Sequence, residues 1–299
     1  MIIVDAHSHL WLRQDTVVDG QRISPLPNGR AMFFGEERQM LPPFMIDGRN
    51  SAEVFLSNMD YAQVSAAVVV QEVIDGNQNV YLQEVQRRWP SRFFCCGMPD
   101  MTESPAGQAD VLAGMGFRGV ALPGHRMHDA LDSPEWMDFF HCMEDRGMIL
   151  DICLADDAEQ IAQMERVIRN CPKLKTAIGH FGMVTGEHWM KQILLAEAEN
   201  VYVEAGGITW LFNSEFYPYP SAVKAIREAA DAVGMDKLMW GSDYPRTITA
   251  ITYRMSYDFI QKTQELSEEE KRMLLGENAV KFYGLENLEE IPYVKNMSE

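Results

Sequence analysis

The chain is short of positive charge: 26 lysines and arginines stand against 44 aspartates and glutamates among 299 residues, a formal net charge of −18. Such a surface repels phosphate backbones and anionic lipid, so neither nucleic acid nor a membrane is expected as a partner. Cysteine is scarce too. The five (Cys95, Cys96, Cys142, Cys153, Cys171) are odd in number, lack zinc-ribbon spacing and lie mostly inside apolar runs. That excludes a disulfide framework and fits a reducing compartment better than an oxidising one. No apolar run approaches the ~20 residues of a membrane helix, and the opening MIIVDAHSH has neither the basic region nor the apolar core of a secretion signal. Internal repeats and low-complexity tracts are also missing. The expectation is a soluble, cytoplasmic chain, long enough for one large domain or two small ones.

What is present is rhythm. Eight β-branched or apolar runs, at residues 2–9, 66–72, 92–97, 117–122, 148–154, 174–180, 201–206 and 237–243, alternate with amphipathic stretches. The latter fall at 52–61, 80–89, 106–115, 134–146, 158–170, 188–199, 222–233 and 253–263. Eight such alternations predict an α/β fold, a (β/α)8 TIM barrel, although an open doubly wound sheet has the same local pattern. Ser133-Pro134 and Asp156-Asp157 mark helix starts, and Gly116, Gly147 and Gly234 mark helix ends. Residues 10–50 break the rhythm; rich in proline, glycine and methionine, they are expected to form a long loop over the mouth. After the eighth strand, LSEEEKRMLLGENAVKFYGL predicts an extra C-terminal helix capped by Ser267. The expected organisation is one barrel domain over 1–285 and a polar tail over 286–299.

The chemistry concentrates at strand ends. In Asp5-Ala-His7-Ser-His9, positions two apart share a strand face, so Asp5, His7 and His9 are predicted to point inward, with two imidazoles able to grip one metal ion. The alternative is a polar strand end bonded to loops. His180 ends the sixth run in IGHFG, and Asp243 ends the eighth in MWGSDYP, where a carboxylate can bind a metal, take a proton from water or cap a turn. In a barrel the mouths of strands one, six and eight surround one cavity, so His7, His9, His180 and Asp243 are expected to converge. Arg118, His125 and Arg246 are candidates to meet a carboxylate or carbonyl of a small-molecule substrate. Gln71, Glu72 and Glu204 end strands; Glu204 is suited to a hydroxyl or to a further metal bond. Trp11 and Trp210 are candidates for an aromatic wall. Ordinary pairing and packing are the alternatives for all of these.

The stretches DAHSHLW, VVVQEVIDGNQNVYL, GFRGVAL, KTAIGHFG, NVYVEAGGITW, LMWGSDYP and GENAVKFYGL together resemble the amidohydrolase superfamily across residues 1–285. The resemblance is to its amidohydrolase-2 branch, and there to the sugar-lactone and dicarboxylate-lactone hydrolases. It implies a barrel enzyme with one divalent metal, Zn2+ first and Mn2+ second, with metal-free operation left open. It further implies His7, His9 and His180 as metal ligands, and Asp243 as ligand and general base with His180 in the catalytic group. Two departures stand out. The fifth strand, GMILDICLA, lacks the histidine of many decarboxylases, and the fourth, FRGVALPG, lacks the lysine of binuclear members. The expected function is therefore opening of a lactone by water at a mononuclear site. A metal-dependent non-oxidative decarboxylase of an aromatic or enoic acid and a catalytically inactive binding barrel are the alternatives. Homo-oligomerisation stays open.

Overall fold

The N-terminal run forms β1 (Val4–Ser8), and the chain then makes an antiparallel meander of β2 (Thr16–Val18), β3 (Gln21–Pro25), β4 (Arg30–Phe33) and β5 (Glu36–Gln39). Seven more strands follow, each after a helical crossover: β6 (Ala66–Val69), β7 (Phe93–Gly97), β8 (Gly119–Leu122), β9 (Ile149–Ile152), β10 (Lys175–Ile178), β11 (Val201–Glu204) and β12 (Leu238–Met239). This computed structural model describes residues 1–295 and 297. The order β1-β6-β7-β8-β9-β10-β11-β12 is all parallel and sequential. That order excludes a doubly wound sheet, whose strand order reverses. Its ends are stitched by main-chain bonds from Ala6 N to Trp240 O (2.8 Å), Asp243 N to His7 O (2.9 Å) and His9 N to Tyr244 O (2.7 Å). The fold is a (β/α)8 TIM barrel, nearly closed.

Two apolar layers follow from strand alternation. Inward side chains from all eight barrel strands, among them Val4, Ala6, Val68, Phe94, Ala121, Ile149, Ala177, Tyr202 and Met239, form the interior cluster. Outward ones such as Val69, Val120, Leu150 and Val203 join the surrounding helices in the larger cluster. The helix Ala158–Asn170 is typical: it buries Ile161, Met164 and Val167 on one face, and the Asp157 side chain accepts from Gln160 N at its start. The C-terminal segment is helical, with Ser267 and Glu270 capping reciprocally. Its last part, Asn278–Tyr283, inserts Phe282 and Tyr283 into the interior cluster and so closes the end opposite the mouth. Among the described residues no helix is long and apolar enough to cross a membrane.

Two expectations are corrected. Residues 10–50 are not an unstructured loop: 16–39 form the four-stranded meander, and the segment is pinned at its base by the reciprocal main-chain bonds of Trp11 and Asn50, each 3.0 Å. Its Val18 and Ile23 pack on Ile74. Asp5 does not share a face with His7 and His9. The register of β1 shifts between Asp5 and Ser8, so Asp5 turns away from the interior and accepts from Ser242 N (2.8 Å), Ser242 Oγ (2.5 Å) and Tyr253 OH (2.7 Å). A bulge inserts one residue and reverses the alternation beyond it, which no periodicity reveals.

Candidate active site

At the strands' C-terminal end lies a cavity of about 390 Å³, lined by His7, His9, Gln71, Glu72, His125, Arg126, Asp151, His180, Trp210, Asp243 and Arg246 together with apolar neighbours. A carboxylate stands behind each of the two histidines, His7 on β1 and His9 just past its end. Glu204, at the end of β11, meets His7 Nδ1 at 2.9 Å, and Asp75 Oδ2 stands 3.4 Å from His9 Nδ1. Their Nε2 atoms converge to 3.2 Å, and Asp243 Oδ1 lies 3.0 Å from His9 Nε2 and 3.8 Å from His7 Nε2. Backbone space makes this possible: a Cβ on Gly206 would sit 2.7 Å from His7 Cγ, and one on Gly241 2.7 Å from His7 Cβ. Both His180 (φ 50°) and Asp243 (φ 57°) occupy the left-handed region, a strain of ~1–2 kcal/mol each that the surrounding structure must hold.

The donor set fits a divalent cation. With Nδ1–H of His7 given to Glu204, its Nε2 is left with a lone pair, and a single proton on His9 Nε2 cannot be donated in full to both that lone pair and Asp243. His9 Nδ1 and Asp75 Oδ2, misaligned at 3.4 Å, are both left without a hydrogen-bond partner. A proton on His9 Nδ1 facing Asp75 would free Nε2 as a second lone pair. Each imidazole would then have a carboxylate behind it and a metal-binding nitrogen in front, the usual arrangement of metal-bound histidines. His7, His9 and Asp243 thus form one group of donors within 4.8 Å of one another. His180 stands outside that group: its Nδ1 is 2.9 Å from Gly206 O, and its ring centroid is 4.5 Å from that of His7.

Electrostatics agree with this charge balance. Burial opposes a charge on His7, but Glu204 and Asp243 outweigh it and raise its pKa to about 10, so these carboxylates call for a positive charge at this point. Burial and the charge of His7 push His180 below the ordinary imidazole value. Burial would raise Asp243, yet the His9 hydrogen bond and the charge of Arg246 prevail and hold it far below the usual carboxylate range. Trp210 Nε1 donates to Asp243 Oδ2 at 2.7 Å, and Arg246 reaches Asp75 at 2.8 Å and Asp243 at 3.7 Å.

The remaining expected residues divide. Gln71 lines the cavity, but its amide is spent on Cys96 O (2.9 Å), Asn79 (2.8 Å) and Gln78 N (2.7 Å), which orders the loop after β6. His125 meets Glu72 at 3.2 Å, and Glu72 also takes Arg126 at 2.7 Å. Glu204 is fully buried behind His7 and accepts from His180 N (2.8 Å) and Gly206 N (2.5 Å), so it positions histidines instead of facing a substrate. Two assignments are corrected. Trp11 is fully buried outside the cavity, donating to Gly48 O and packing on Leu41 and Met45. Arg118 precedes β8 at the opposite end of the barrel, over the Phe94 ring. Among the described residues the cavity lining takes nothing from 10–50, so the meander buttresses the rim through Ile74 without entering. Asp75, Arg126 and Asp151 were missed. Only Asp151 carried a signal, as the lone charge inside an apolar strand.

The histidine–carboxylate centre lies at the C-terminal mouth of a parallel barrel, the end at which enzymes of this fold carry their active sites. The amidohydrolase family model matches residues 4–285, and the chain belongs to that family. A probable 2-pyrone-4,6-dicarboxylic acid hydrolase from Acinetobacter baumannii, with citric acid bound, is similar in structure: TM-score 0.72, 20% identity, 95% of this chain and 100% of that one covered. An amidohydrolase from Burkholderia multivorans with bound zinc gives TM-score 0.70 at 17% identity over 95% and 100%. A 5-carboxyvanillate decarboxylase from Novosphingobium aromaticivorans with bound manganese gives 0.59 at 17% over 78% and 80%. A search of the curated proteins finds no match.

Proposed function

We propose that the protein opens the lactone ring of a sugar acid or dicarboxylate by attack of water, with Asp243 as general base. The observation that carries this is the placement of Asp243: ionised, fixed by Trp210 on Oδ2, and aimed with Oδ1 at the converging Nε2 atoms of His7 and His9. Asp243 takes the proton of the attacking water and returns it to the ring oxygen as the acyl–oxygen bond breaks. His180, neutral at the cavity wall, is placed to hydrogen-bond the substrate near that centre. Ring opening leaves the departing alkoxide tethered, so no separate leaving-group pocket is required. His7, His9 and Asp243 are the residues to hold a divalent ion. Bound there, such an ion would polarise the carbonyl and make water more acidic, which suits so weakly basic a carboxylate. The likeness to a dicarboxylate-lactone hydrolase and to a zinc-containing amidohydrolase supports this reading.

The test is a panel of lactones followed by proton release, with metal content measured on the same preparation and aromatic carboxylic acids assayed in parallel for CO2. Ring opening that is lost on chelation and restored by Zn2+ or Mn2+ is expected. Release of CO2 without lactone opening would overturn the proposal.

A further inference from the structure

The floor of the cavity holds a carboxyl group that this chemistry does not use. Asp151 lies on β9, opposite Ala121 of β8 and Ala177 of β10 in register, and is 2% exposed. Tyr283, coming up through the barrel from the C-terminal helix, donates to Asp151 Oδ2 at 3.0 Å. Among the described residues no hydrogen bond reaches Asp151 Oδ1, and the residue lines the cavity beside His7 and His180. The register neighbours on both flanks are alanines, so neither adjoining strand covers the carboxyl from the side, and an Asp151 oxygen lies within 4.8 Å of a ring nitrogen of His7. An unused acceptor in a pocket is costly when an apolar group covers it and favourable when a hydroxyl meets it.

The cations above it are already matched. Glu72 pairs with both Arg126 and His125, and Asp75 with Arg246. Among the lining's charged groups, Glu72, Asp156 and Asp243 stand against Arg126, Arg246 and the charged His7, so no cation is left in excess for an added anion. A dianionic ring would displace existing ion pairs and meet Asp151 at the floor. An uncharged ring bearing hydroxyls would disturb none of these pairs and would satisfy the free oxygen.

Resting on the lactonase reading above, we infer that Asp151 is a specificity-determining residue: its Tyr283-anchored carboxyl accepts a hydrogen bond from a substrate hydroxyl and selects an uncharged, hydroxylated lactone over a dianionic one. Gluconolactone and galactonolactone serve as hydroxylated probes, δ-valerolactone as the ring without hydroxyls, and 2-pyrone-4,6-dicarboxylate as the dianion. The wild-type protein should show its highest kcat/KM on a hydroxylated neutral lactone. In Asp151→Ala the ratio of kcat/KM between the hydroxylated and hydroxyl-free rings should fall by roughly tenfold to a hundredfold, mostly through KM. Asp151→Asn, which keeps an acceptor, should retain more of the ratio, and Tyr283→Phe should lose part of it. These two milder variants carry the test if the alanine variant does not fold. Equal losses on both rings would leave Asp151 a structural partner of Tyr283 and overturn the inference. So would a wild-type preference for the dianion, which would leave the lactonase reading standing. Failure to open any of the four overturns that reading and the substrate assignment with it.

Discussion

The two ends of the barrel are built from the same eight strands and obey opposite rules. At the closed end the interior is apolar: Tyr202 and Phe282 lie 4.7 Å apart between ring centroids, and Phe94 and Tyr283 5.1 Å. At the mouth the same strands end in His7, His9, Glu204 and Asp243, all nearly inaccessible to solvent, with His180 and Asp243 in left-handed backbone. The closed end is held by packing, which tolerates any side chain of suitable size and shape. The mouth is held by buried charges that each need a partner, so removing one exposes another. Stability and chemistry are thus separated along the barrel axis, with Asp151 and Tyr283 as the link between them.

The comparison can be broken most sharply at Asp243. Asp243→Asn keeps the shape but not the basicity, so kcat on the best lactone should fall by about 10²- to 10⁴-fold in protein that still folds. A variant that retains wild-type kcat would remove Asp243 from the chemistry. At the other end, Phe282→Ala should cost ~3–5 kcal/mol in denaturant unfolding, the usual penalty for emptying an aromatic core site, with KM for the best lactone changed far less than stability. A large KM change with little loss of stability would reverse the roles assigned to the two ends.

A smaller effect concerns pH. Burial acts to raise the pKa of Glu72, but His125 and Arg126 prevail and lower it from 4.5 to about 2. Because its folded value is depressed, the stabilisation is present above the unfolded value and is lost as pH falls from about 4.5 towards 2, by roughly 2–3 kcal/mol at most. Unfolding curves of Glu72→Gln should show a flatter decline across that window than the wild type; identical slopes would mean that the rim pair contributes nothing. The smallest effect is expected at Arg118, on the far side of the barrel from the cavity. Arg118→Ala should leave kcat/KM within about twofold and stability within ~0.5 kcal/mol, whereas a tenfold loss of activity would show that the closed end takes part in catalysis.

Periodicity alone located all eight barrel strands, and it bounded the helices Ala52–Tyr61 and Ala158–Asn170 to the residue, because an apolar run or stripe is a local property of the chain. The histidine pair of DAHSH and the strand-end Asp243 were likewise visible, since their positions depend only on where strands stop. What sequence alone could not decide is everything that depends on which partner sits opposite. The bulge that turns Asp5 outward arises from pairing with β6, and the burial of Trp11 from the meander folding back on it. Arg118 was placed by its nearness to a strand, but which end of the strand it marks is settled only when the strand begins at Gly119. Glu204, legible as a strand end, became a positioning group only because Gly206 and Gly241 let His7 come within reach. Asp151 gained its place from Tyr283, 132 positions away in the chain. Hydrophobic spacing is written residue by residue, whereas the pairing of buried polar groups is a condition on the whole packed barrel, and only the tertiary structure satisfies it.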